Sequence, residues 1–150
     1  MKRTALCLIM LMAAPVTAST LPLGFGVGLR LGGAATQPSG LLIGVDATIP
    51  ALSLGPGLKT RFDFDTWGQP LSGWDSSSGG KAVTVCQIGG TILGYYGAGI
   101  GYSRLRDDGI RLDGPEIKLV GGVQLLGIGL EVNTHIGKQT VWTGMMRIRF

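Results

Sequence analysis

The sequence predicts an all-β protein, an eight-stranded antiparallel up-and-down transmembrane β-barrel. Three observations predict it. Glycine supplies 27 of the 150 residues and only 15% are charged, a composition that spoils helices. Beyond the first 18 residues the chain falls into eight stretches that alternate with a period of two, at lengths that suit tilted membrane strands of about 9–11 residues. Sorting those stretches by parity yields one face without charge and one that is polar and nearly charge-balanced.

The opening "MKRTALCLIMLMAAPVTA" stands apart. Lys2 and Arg3 make a positive start, Ala5 to Ala14 an apolar run, and Val16-Thr17-Ala18 a small-residue cleavage site, the pattern of an export signal. The run is too short for a comfortable membrane helix of about 20 residues. Residues 1–18 are therefore expected to be cleaved, leaving 19–150 as one barrel domain. Loss of Lys2 and Arg3 lowers the formal charge from +4 to +2. No basic cluster remains to bind nucleic acid. Cys86 is then the only cysteine, so no intramolecular disulfide is expected.

The segments run in order as 23–32, 40–49, 58–67, 81–88, 95–104, 115–124, 126–135 and 140–150. The first, "LGFGVGLRLG", puts Phe25, Val27, Leu29 and Leu31 on one side and Arg30 with glycines on the other. The second alternates Leu41, Ile43, Val45 and Ala47 against Asp46. The third sets Phe62 and Phe64 against Lys59, Arg61, Asp63 and Asp65. The fourth, "KAVTVCQI", alternates least clearly. The fifth displays Tyr96, Ala98, Ile100 and Tyr102 opposite Gly97, Gly99 and Gly101. The sixth sets Ile117, Leu119 and Val123 against Glu116 and Lys118, and the seventh Ile128, Leu130 and Val132 against Glu131, Asn133 and His135. The last sets Trp142, Met146, Ile148 and Phe150 against Arg147 and Arg149. The polar face thus carries six bases (Arg30, Lys59, Arg61, Lys118, Arg147, Arg149) and five acids (Asp46, Asp63, Asp65, Glu116, Glu131).

A soluble barrel would bury the apolar face, whereas a membrane barrel turns it to lipid and encloses the polar one. Loops and aromatics favour the second. With the N-terminus in the periplasm, "GQPLSGWDSSSGG" and "LRDDGIRLDG" become long outer loops opposite mostly shorter turns. Phe25, Tyr96 and Phe150 then fall at the periplasmic rim, and Phe64, Trp67, Tyr102 and Trp142 at the outer rim, as the two aromatic girdles of a membrane barrel. The eleven inward charges are expected to pair into a plug fitted around Gly24, Gly26, Gly28, Gly97, Gly99 and Gly101, since eight strands leave an interior only just wide enough for side chains.

The chain at this point resembles the small eight-stranded outer-membrane β-barrels, the OmpA-, OmpX- and OmpW-like group, through its signal, the strands "GFGVGLRLG" and "YYGAGIGYSR", and the terminal "WTGMMRIRF". The resemblance implies the outer membrane of a Gram-negative-type bacterium, contact with outer-membrane lipid, and recognition by the outer-membrane insertion machinery. In that group a terminal Phe after alternating apolar residues is the assembly signal, and Phe150, Ile148 and Met146 match it. A monomer is expected, with no cofactor, no metal and no nucleic-acid partner.

Candidate chemistry is sparse. The Gly-x-Gly runs never form Gly-x-Gly-x-x-Gly between a strand and a helix, so they do not read as a nucleotide loop. His135, Ser103 and Glu131 match no hydrolase spacing, and His135 is expected to bond loop or water at the rim. Asp107, Asp108 and Asp113 lie among Arg104, Arg106 and Arg111 in the third outer loop, where salt bridges outweigh a calcium site. Trp74 is a candidate anchor for a loop partner. The sequence therefore points to a non-enzymatic barrel with a structural, envelope-stability or surface-contact role. Alternatives are a small-molecule or lipid-binding or transport barrel, a lipid A-modifying enzyme and a soluble lipocalin-like binder.

Overall fold

The computed structural model describes residues 26–49, 52, 54–68, 78–91, 93–107 and 109–150. The proposed signal, Phe25, Trp74 and Asp108 lie outside them. Eight strands follow in chain order: β1 (Gly26–Ala34), β2 (Gly40–Ile49), β3 (Lys59–Gly68), β4 (Gly79–Gly90), β5 (Gly94–Asp107), β6 (Ile110–Leu125), β7 (Ile128–Ile136) and β8 (Thr140–Arg149). Each pairs antiparallel with its neighbours, and β1 pairs with both β2 and β8, so the sheet closes. The Phe150 amide donates to the Val27 carbonyl at 2.9 Å, which extends the closing seam one residue past β8. Closure leaves no unpaired sheet edge, the condition a spanning sheet must meet where no water can satisfy its backbone.

One expectation fails in the sheet. The sixth strand starts at Ile110 and not at residue 115, and β5 runs on to Asp107, because the stretch read as a long outer loop is a continuation of the hairpin. Arg104 pairs with Asp113, Leu105 with Leu112, Arg106 with Arg111, and Asp107 with Ile110. The physical reason was visible as "DDG": Asp-Gly is the favoured two-residue hairpin turn, and Gly109 has φ +83°. The β6–β7 link is equally tight, with Leu126 and Gly127 at φ 50° and 85°.

The direction of the pleat decides the architecture. Outward side chains are apolar and exposed, among them Val27, Val45, Ile100, Ile117, Leu130 and Val132. Inward side chains are mostly buried and include nine of the charged ones. Along the axis the interior has three layers. At the end opposite the chain termini, Ala34, Leu42, Trp67, Ala82, Leu105, Val141 and Met145 form an apolar cluster backed by Leu112. Ionic side chains fill the middle. Towards the termini, Cys86, Tyr95 and Val120 pack together with Ile88.

Candidate functional site: the ionic lumen

The charges of the middle layer come from inward positions on six strands, and β5 adds Tyr95. Arg30 of β1 is its hub, with guanidinium nitrogens 3.1 Å from Asp65, 3.2 Å from Asp63, 3.6 Å from Glu131 and 3.7 Å from Asp46. It also donates to the Val45 carbonyl at 3.0 Å. Arg61 lies two residues before Asp63 on β3, so the pleat sends both inward, and its Nε reaches Asp63 at 2.8 Å. Its two terminal nitrogens span the Glu131 carboxylate of β7 at 2.7 and 3.0 Å, a fork-on-fork pair. Lys118 of β6 donates to Asp63 at 2.7 Å and Asp65 at 2.6 Å. Arg147 of β8 grips both oxygens of Asp46, with Nε at 2.8 Å. Tyr95 donates its hydroxyl to Glu131 at 2.9 Å.

Four cations (Arg30, Arg61, Lys118, Arg147) therefore meet four carboxylates (Asp46, Asp63, Asp65, Glu131), all of them buried. Glu116 belongs to a second, smaller site, where its Oε1 lies 2.9 Å from Nδ1 of His135. Lys59 and Arg149 differ from the expectation. Lys59 is exposed and Arg149 is partly exposed at the terminal mouth, and neither forms an ion pair among the described residues. Lys59 lies one inward position beyond Arg61 at the start of β3, and Arg149, although it shares a row with Asp46 through Gly28, leaves that carboxylate to Arg147.

Glycine makes room for the cluster in a specific way. A Cβ on Gly28 would sit 2.3 Å from Asp46 Oδ2, and one on Gly44 2.3 Å from Asp65 Oδ1. Gly97, Gly99 and Gly101 instead face Ile88, Cys86 and Thr84 of β4, so they admit neutral side chains and not charges.

Of the girdle residues, Tyr96, Tyr102, Trp142 and Phe150 are exposed on the outside and Phe64 partly so. Trp67 is a correction: it is 1% exposed and points into the lumen. Parity carries it there, because it lies two residues past Asp65 on the inward face. It fills the far end together with Leu42, Val141 and Met145, which share parity with Asp46 and Arg147. His135 is a second correction. It is buried, with its ring centroid 5.2 Å from that of Trp67, and is not a rim residue bonded to loop or water. Its carboxylate neighbour is Glu116 and not Glu131, and no hydrogen bond links it to Ser103 among the described residues. At the far hairpin, Asp113 pairs with Arg104 at 3.2 Å and with Arg111. Among the described residues no three His, Cys, Asp or Glu side chains are grouped to hold a metal ion.

The fold and this interior define a class: closed eight-stranded barrels with an apolar exterior and a polar, side-chain-filled lumen. Within it, the chain is similar to the N-terminal β-barrel domain of Pseudomonas aeruginosa OprF, at 13% identity and a TM-score of 0.58, over 83% of this chain and 96% of that one. It is also similar to Neisserial surface protein A (NspA), at 12% identity and a TM-score of 0.56, over 83% and 94%. The sequence matches no family profile and no curated protein.

Proposed function

We propose that the chain is a non-enzymatic outer-membrane barrel whose lumen is sealed by its own side chains, with an envelope-stability or surface-contact role and no general porin activity. The observation that carries this reading is the inverted burial: apolar side chains outside, and inside a compensated set of four cations and four carboxylates with almost no exposed surface. Such a band outside matches a lipid-facing wall. Lumen charges paired this closely leave no room for a continuous file of water. The likeness in fold to the OprF β-barrel domain and to Neisserial surface protein A supports the location.

Residues 1–18 direct export, both termini face the periplasm, the insertion machinery recognises the strand ending at Phe150, and the barrel works as a monomer in outer-membrane lipid. Single-channel recording of pure protein in planar bilayers tests the sealed lumen. The expected trace shows no stable ohmic openings. Large, long-lived openings would overturn the seal and put transport first.

A further inference from the structure

The terminal end of the barrel opens into a polar vestibule of about 90 Å³. Its lining includes Lys59, Arg61, Arg147 and Arg149 and no acidic residue. Arg61 and Arg147 are engaged deeper in the lumen by Glu131 and Asp46. Lys59 and Arg149 have no ion-pair partner among the described residues, and the Phe150 carboxylate pairs with neither.

Among the described residues no acidic side chain lines this mouth. The sequence contains nine acidic residues. Asp46, Asp63, Asp65, Glu116 and Glu131 are buried in the lumen. Asp107 and Asp113 sit in the far hairpin, and Asp75 and Asp108 lie outside the described residues. Uncompensated cations around a concave opening focus a positive potential into it.

The volume equals about three waters' share of the liquid, enough for a compact group of five heavy atoms. The ammonium of Lys59 and the guanidinium of Arg149, with the hydroxyl of Thr48 and the amide of Gln124 also lining the space, offer more donors than one carboxylate can accept. A tetrahedral oxyanion uses them better. We propose that the vestibule binds a phosphate-class anion, held by Lys59 and Arg149 at the mouth above Arg61 and Arg147.

The rim indicates where such a group comes from. Leu54, Leu93 and Leu126 lie in the three connections of this end and are 84%, 61% and 90% exposed. Apolar tips of that kind seat the mouth in the headgroup layer, where lipid phosphates are at hand. The anion site stands on the vestibule itself, and only this lipid source rests on the proposed membrane location.

Calorimetric titration of the purified full chain in maltoside detergent, at constant ionic strength against chloride, tests the proposal. The probes are inorganic phosphate and dihexanoyl phosphatidic acid below its micelle concentration. Saturable binding of either is expected, weakened fivefold or more in Lys59→Gln/Arg149→Gln and unchanged in Lys138→Gln at the far end. Gel mobility without heating verifies that each variant is folded, and the milder Lys59→Gln should show the same direction of effect. Binding of inorganic phosphate alone assigns a soluble anion; binding of the lipid alone assigns a headgroup. Absence of saturable binding to both probes, or a loss below fivefold in the folded double variant, would overturn the site.

Discussion

Replacing Lys118 by Met is the most informative perturbation of the ionic layer. Met approximates the length of the stem and removes the charge. Lys118 Nζ is the close partner of two carboxylates, 2.7 Å from Asp63 and 2.6 Å from Asp65, with no exposed side-chain surface. Its loss does not affect them equally. Asp63 keeps Arg61 at 2.8 Å and Arg30 at 3.2 Å, whereas Asp65 keeps only Arg30 at 3.1 Å. The layer changes from four cations against four anions to three against four. Breaking a buried pair from one side costs about 3–5 kcal/mol, because a charge is left without compensation; that is roughly two to nearly four decades in the unfolding constant. Lys118→Met should therefore lower stability by about that amount, and adding Asp65→Asn should restore more than half of the loss by returning the layer to three against three. Urea titration in phospholipid vesicles, scored by gel mobility without heating, measures both. A cost below about 1 kcal/mol, or costs of the two substitutions that add within about 0.5 kcal/mol, would refute the view that these charges form one compensated unit.

Three further outcomes are expected. Gly44→Ala pushes a methyl against Asp65 and should cost about 1–3 kcal/mol in the same titration, whereas Gly144→Ala, where a Cβ meets nothing within 4 Å, should stay within about 0.5 kcal/mol. Trp67→Ala empties the centre of the far apolar cluster and should cost about 3–5 kcal/mol of unfolding free energy. Deleting Phe150 removes the bond to the Val27 carbonyl along with the terminal aromatic ring. Fractionation should then find less assembled barrel and more periplasmic or degraded protein, with synthesis intact; normal outer-membrane levels of folded protein would contradict the role given to this residue.

The period of two made most of the fold legible. It placed Arg30, Asp46, Arg61, Asp63, Asp65, Lys118, Glu131 and Arg147 on one face and Val27, Val45, Ile100 and Leu130 on the other, as the structure has them. Trp67 was misplaced where residue type was allowed to override parity: an aromatic at a strand end reads as a girdle, yet its position fixes it to the lumen. Leu42, Val141 and Met145 went unread for the same reason, since a face containing arginines was taken to be polar along its whole length. The β5–β6 hairpin was obscured by charge, because outward residues beyond the apolar band are as polar as a loop. Which carboxylate meets which cation depends on register and rotamer, and neither is contained in a parity. Tyr95 shows the limit well: adjacent Tyr95 and Tyr96 must point to opposite sides, but nothing in "YY" says that the inner hydroxyl finds Glu131.

The central claim, an apolar wall against lipid around a sealed interior, is tested most directly by the tryptophans. Trp142 is 49% exposed on the outside and Trp67 is 1% exposed within. Single-tryptophan proteins, Trp67→Phe/Trp74→Phe and Trp74→Phe/Trp142→Phe, would be refolded into vesicles whose acyl chains carry bromine near the headgroup end, and their fluorescence compared with that in unbrominated vesicles. Strong quenching of Trp142 with Trp67 nearly unaffected is the predicted result. Quenching of Trp67 as strong as that of Trp142, or no quenching of Trp142, would contradict the account.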